Sequence, residues 1–184
     1  MGMILLILGI ALWWLPHLFK RLAPARRAAM GNGAKGAVAL VLVLSVVVMV
    51  IGYRMTETVF VWAPPASMVH VNNLLVLVGI WMMSPAGQKG RILNRVRHPM
   101  LIGFGLWAFA HLLVNGDLSS IVLFGGLLAW ALVEIAVINR AEPAWTPPES
   151  GTLGKDAMFF VASLVVLAVI GWIHGLVGPS PFAA

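Results

Sequence analysis

The sequence predicts an all-α, polytopic membrane protein, with six transmembrane helices in one bundle and both termini on the non-cytoplasmic side. Composition is the first observation behind this. Of the 184 residues, 61% are hydrophobic and 10% charged, where a soluble domain carries about 25% charged residues, and the mean hydropathy is +0.98. The second is segmentation: the apolar residues gather into six runs, most of them close to the ~17 to 25 residues that a bilayer-spanning helix requires. The third is that the cations lie almost entirely in alternate loops between these runs.

The first span, residues 3–19, has no basic region before it and no small-residue cleavage site after it, so it reads as a retained helix and not as a signal peptide. The second, 36–53, ends in Gly-Tyr-Arg, and Pro64-Pro65 closes the loop that follows. The third covers 66–83 and stops at Pro85-Ala-Gly. The fourth, 100–114, is the shortest and starts behind Pro99; the fifth covers 118–138. The sixth, 157–175, follows Pro143 and Pro147-Pro148, prolines that a helix does not run through unbroken. Gly103 and Gly105 in the fourth span, and Gly125-Gly126 in the fifth, would let neighbouring backbones approach closely. Trp62, Trp81 and Trp172 fall near span ends, as an aromatic belt would place them. No soluble domain or internal repeat stands out, and residues 1–184 form a single transmembrane domain on this basis.

Orientation follows from the loops. Lys20, Arg21, Arg26, Arg27 and Lys35 precede the second span, Lys89, Arg91, Arg95 and Arg97 the fourth, and Arg140 and Lys155 the sixth, which leaves Arg54 alone on the other side. That asymmetry puts the basic loops in the cytoplasm of a bacterial inner membrane. The net charge of +6 therefore serves topology and anionic head groups, not nucleic acid. The chain has no cysteine, so disulfides, iron–sulfur clusters and thiolate-ligated haem are excluded. No nucleophile elbow, glycine-rich phosphate loop or paired-carboxylate arrangement is present.

Five histidines remain as candidate ligands. His111 is buried in the fourth span, about 18 Å from its inner edge at 1.5 Å per residue, and an imidazole at that depth is a functional-site hypothesis by default. His70, about one turn into the third span, lies at comparable height. Asn115 and Asn73 share helix faces with His111 and His70. His17, Arg97, His98 and Glu134 make a second polar group on the cytoplasmic side, with Glu134 a candidate partner for Arg97; His174 ends the sixth span. A neutral imidazole is the common axial ligand of haem iron: two from different helices give a low-spin site, and one leaves a position open. Zinc favours tight, closely spaced ligand clusters, and none is evident. Haem is thus the expected cofactor, with His111 and His70 as the candidate metal ligands that depth brings together and Arg97, His98 and Asn115 as further cofactor contacts. A cofactor-free transporter or regulatory membrane partner is the competing class.

The run R-H-P-M-L-I-G-F-G-L-W-A-F-A-H-L-L-V-N-G-D from Arg97 to Asp117 closely resembles the NnrU family pattern H-P-x-L-x-G-x-x-L-W-A-x-A-H-L-L-x-N-G. L-P-H in the first span, G-Y-R ending the second, and W-x-P-P at Trp62 to Pro65 with His70 soon after extend the resemblance over residues 10–138. The resemblance implies a membrane protein associated with nitrite and nitric oxide reduction in denitrification. It also extends to the 15-cis-zeta-carotene isomerases, which use haem b on an apolar polyene, and it implies His17 and His111 as ligands. Those isomerases commonly carry a cysteine three residues before the second histidine, where this chain has Ala108. Expected partners are the lipid bilayer and either an apolar small molecule or nitric oxide; self-association is left open. R-H-P-x-x-x-G is also similar to the isoprenylcysteine methyltransferases, but their paired glutamates are reduced here to Glu142.

Overall fold

The computed structural model describes residues 1–31, 33–149 and 151–182. Among these it is all-helical: α1 Gly2–Leu22, α2 Pro24–Ala29, α3 Gly33–Arg54, α4 Met68–Met83, α5 Ala86–Lys89, α6 Pro99–Leu112, α7 Leu118–Ala141 and α8 Leu153–Val177, with a 3₁₀ turn at Leu93–Arg95. The only β pairing among the described residues is an isolated bridge between Phe60 and Asp117.

Each expected span coincides with a helix, and α1, α3, α7 and α8 are long and apolar enough to cross a membrane. These helices outrun their apolar runs because charged and capping residues extend them. Lys20 and Arg21 complete the last turn of α1, and Thr152 caps α8 by accepting from Lys155 N–H at 3.3 Å. α4 and α6 are shorter, at 16 and 14 residues. At 1.5 Å per residue they reach about 24 and 21 Å, against a hydrocarbon core of about 30 Å.

The helices sort into two compact units. Unit 1 combines Met1–Trp62 with Gly116–Pro143 and contains α1, α2, α3 and α7. α1 and α3 meet backbone to backbone: a Cβ on Gly9 would lie 2.6 Å from the Met49 side chain, and one on Gly52 would strike the Leu6 backbone. α7 joins through Trp14, whose indole donates to the Gly126 carbonyl at 3.1 Å, and through Tyr53 and Ser120, whose hydroxyls are 2.8 Å apart. The loop after α3 is tied to the start of α7 by Val61 N–H to Gly116 O and Leu118 N–H to Val59 O, both 2.8 Å.

Unit 2 combines Ala63–Asn115 with the segment from Ala144 onward and holds α4, α5, α6 and α8. α4 and α6 cross at two glycines: a Cβ on Gly79 would sit 2.8 Å from Gly103 O, and one on Gly103 2.5 Å from Gly79 O. Asp156, in the first turn of α8 and buried, accepts from Arg91 and Ile92 N–H at 2.6 and 3.1 Å and so anchors the basic loop. Beyond α8 the chain folds back, with the Phe182 ring lying against Gly171.

Candidate functional site

The structure places a candidate site residue in the same local device twice. In unit 1 the His17 Nδ1 is 2.7 Å from the Trp13 carbonyl, one turn back in α1. In unit 2 the His111 Nδ1 is 2.8 Å from the Trp107 carbonyl, one turn back in α6. A carbonyl oxygen only accepts, so in each ring Nδ1 carries the proton and Nε2 is the lone-pair nitrogen. Each imidazole also meets the tryptophan four residues earlier, with ring centroids 4.6 Å apart for Trp13–His17 and 4.9 Å for Trp107–His111. The common element is Trp-x-x-x-His on a helix. Its signal was present in the sequence as an i, i+4 pair on one face, but it shows only when the two copies are compared.

His17 has a second aromatic neighbour, Trp130 of α7, at 4.5 Å. Pro16, the residue before His17, lies inside α1 and withdraws the N–H that the Leu12 carbonyl would otherwise accept. One turn further along α1, Arg21 forms an ion pair with Glu142. Glu134 lies on the buried face of α7 in the same unit, and its Oε2 has no hydrogen-bond partner among the described residues.

In unit 2 the other expected site residues separate. Asn115 donates through Nδ2 to the His111 carbonyl at 2.8 Å, so its amide finishes α6. His98 is the residue before Pro99 at the start of α6, and thirteen residues of helix put it and Arg97 about 20 Å from His111 along the axis. They belong to a different polar end. His70 lies on the exposed side of α4, while Asn72 on the same helix is buried. Asn72 was not among the expected site residues; the Asn-Asn doublet inside an apolar run was its signal.

Among the described residues no group of three or more His, Asp or Glu could hold a metal ion by side chains alone. Haem asks for less: the porphyrin supplies the equatorial nitrogens and the protein one or two axial donors. Imidazoles whose Nδ1–H is committed to a carbonyl suit that role, because the second hydrogen bond orients the ring and raises the basicity of Nε2.

A family model described as NnrU protein matches residues 5–181. No curated protein and no solved structure matches the chain.

Proposed function

Because the chain belongs to the NnrU protein family, we propose that it is an integral protein of the bacterial inner membrane that binds haem b through His111. The observation that carries this is the His111 Nδ1–H to Trp107 carbonyl bond of 2.8 Å, which leaves Nε2 as the ligating nitrogen of a ring embedded in an apolar helix. His17 of unit 1 makes the same bond to Trp13 and is, through the L-P-H motif, a further candidate ligand in its own unit. His70 is the weaker candidate, since it lies on an exposed helix side.

Bound haem would supply one-electron chemistry, or an open position for a diatomic such as nitric oxide. The chain's own residues do the rest. Trp13 and Trp107 hold their histidines in orientation, Asn115 closes the helix behind His111, and the apolar helices keep water away. This supports a role in nitrite and nitric oxide reduction over isomerisation of a polyene, because Ala108 stands where the isomerases commonly carry cysteine. We place six spans across the bilayer with both termini outside, on the strength of the basic loops.

The test is the absorption spectrum of detergent-purified protein from haem-replete cells, oxidised and reduced. A Soret band that shifts on reduction is expected, and His111→Ala should abolish it or convert it to a high-spin form, whereas His70→Ala should leave it unchanged. A colourless preparation that takes up no added haemin would remove the haem proposal in favour of a cofactor-free membrane partner.

A further inference from the structure

The basic end of unit 1 holds a carboxyl group whose partners do not match its burial. Glu134 sits on α7, about 6 Å short of residue 138, where the apolar run ends, and it is 8% exposed. Its Oε2 is buried with no hydrogen-bond partner among the described residues.

α1 and α7 run side by side in the same direction. Ile10 and Trp14 meet Gly126, His17 meets Trp130, and Arg21 pairs with Glu142 just past the end of α7. Glu134 is one turn beyond Trp130 and Arg21 one turn beyond His17, which brings the two to one level. Arg21 acts on Glu134 electrostatically, yet its guanidinium is paired with Glu142. Of the other cations at this end, Lys20, Arg26, Lys35 and Arg140 are exposed and Arg27 lies in α2. α3 meets α7 at the opposite end, where Tyr53 faces Ser120. The titratable groups turned towards Glu134 are therefore His17 and Arg21 of α1, with Glu142 beyond them.

An ionised carboxylate in hydrocarbon needs a cation or several N–H donors, and Glu134 Oε2 has neither. A neutral carboxylic acid in the same place costs far less than an unpaired charge. Arg21 is the group that can change this balance. Its present partner, Glu142, is 56% exposed, and an ion pair at such a surface contributes little. Water can replace the guanidinium at Glu142; no such substitute serves Glu134.

We propose that Glu134 is a proton-binding site: it holds a proton while Arg21 pairs with Glu142, and on losing that proton it draws Arg21 across to itself. The released proton passes to water at the basic end. The negative charge it leaves behind is carried by Glu142, in contact with solvent. The inference goes beyond haem binding and does not depend on it.

Infrared spectroscopy of the full-length protein in detergent tests this, as a pH titration of the carbonyl stretch of protonated carboxyl groups. At neutral pH the wild type should show such a band, and Glu134→Gln, nearly identical in shape, should remove it. Glu142→Gln, at an exposed residue where folding is not at risk, frees Arg21 for Glu134. There the pH at which the band disappears should fall by about one unit or more, a roughly tenfold loss of proton affinity. Arg21→Gln should move that pH upward. The absence at neutral pH of any band that depends on Glu134 would overturn the proposal, as would a band that titrates at the wild-type pH in both Glu142→Gln and Arg21→Gln.

Discussion

Asp117 shows how one side chain joins local structure to stability. Its carboxylate caps α7, accepting from Ser120 N–H at 2.9 Å and from the Ser119 hydroxyl at 2.6 Å. Burial by itself would raise its pKa, but the Ser119 and Ser120 hydroxyls and the Ser120 N–H outweigh that and hold it below the usual carboxylate range. A pKa lower in the folded than in the unfolded state means stabilisation that is complete above the unfolded value, about 3.9, and lost as pH falls through the folded one. Asp117→Ala should therefore cost about 1 kcal/mol near neutral pH. In thermal unfolding in detergent, the gap between wild type and variant should narrow as pH is taken below about 4; a gap that holds its size would show that the carboxylate charge contributes nothing. The capping residue was open to sequence inspection, as an aspartate directly before an apolar run. The proton on His111 Nδ1 was not, because it depends on where the Trp107 carbonyl lies.

At the scale of elements, glycines of identical appearance in the sequence do different work. Gly103 and Gly125 were both expected to allow close helix approach. Gly103 does: a Cβ there would lie 2.5 Å from Gly79 O, across the α4–α6 contact. Nothing lies within 4 Å of a Cβ at Gly125. Gly103→Ala and Gly79→Ala should each push α4 and α6 apart and destabilise unit 2 by about 1 to 3 kcal/mol, the cost typical of overpacking. Gly125→Ala should be neutral or stabilise by up to about 1 kcal/mol through helix propensity. Melting temperatures of the three variants decide this, and a loss at Gly125 equal to that at Gly103 would refute the distinction. The helices also run past the apolar spans: the spans end at residues 19 and 138, before the first cations, whereas the backbone stays helical to Leu22 and Ala141.

For the whole molecule, the absence of cysteine makes topology directly measurable. With the basic loops inside, a membrane-impermeant maleimide applied to intact cells should label Glu57→Cys, in the loop after α3, and not Met30→Cys, in the basic segment before it. The opposite pattern would invert the proposed orientation. The pairing of elements into units was beyond the sequence: α7 belongs with α1 and α3, and α8 with α4 and α6. Hydropathy reports how each segment partitions into a bilayer, and it carries no term for which apolar face meets which.

The sequence by itself determined the helical membrane class, the positions of the helices, the alternate loops in which the cations gather, and family membership through motifs such as A-H-L-L-x-N-G. These are local properties, set by transfer free energy, backbone restriction at proline and residue identity. Only the tertiary structure decided that Gly79 and Gly103 touch, that His17 and His111 share one hydrogen-bonded tautomer, and that His70 lies on an exposed side. It alone joined Asn72 and Asn73 to a tail more than one hundred residues away. Hydrogen-bond satisfaction depends on distances between groups remote in the chain, so such partners become visible only once those groups are in place.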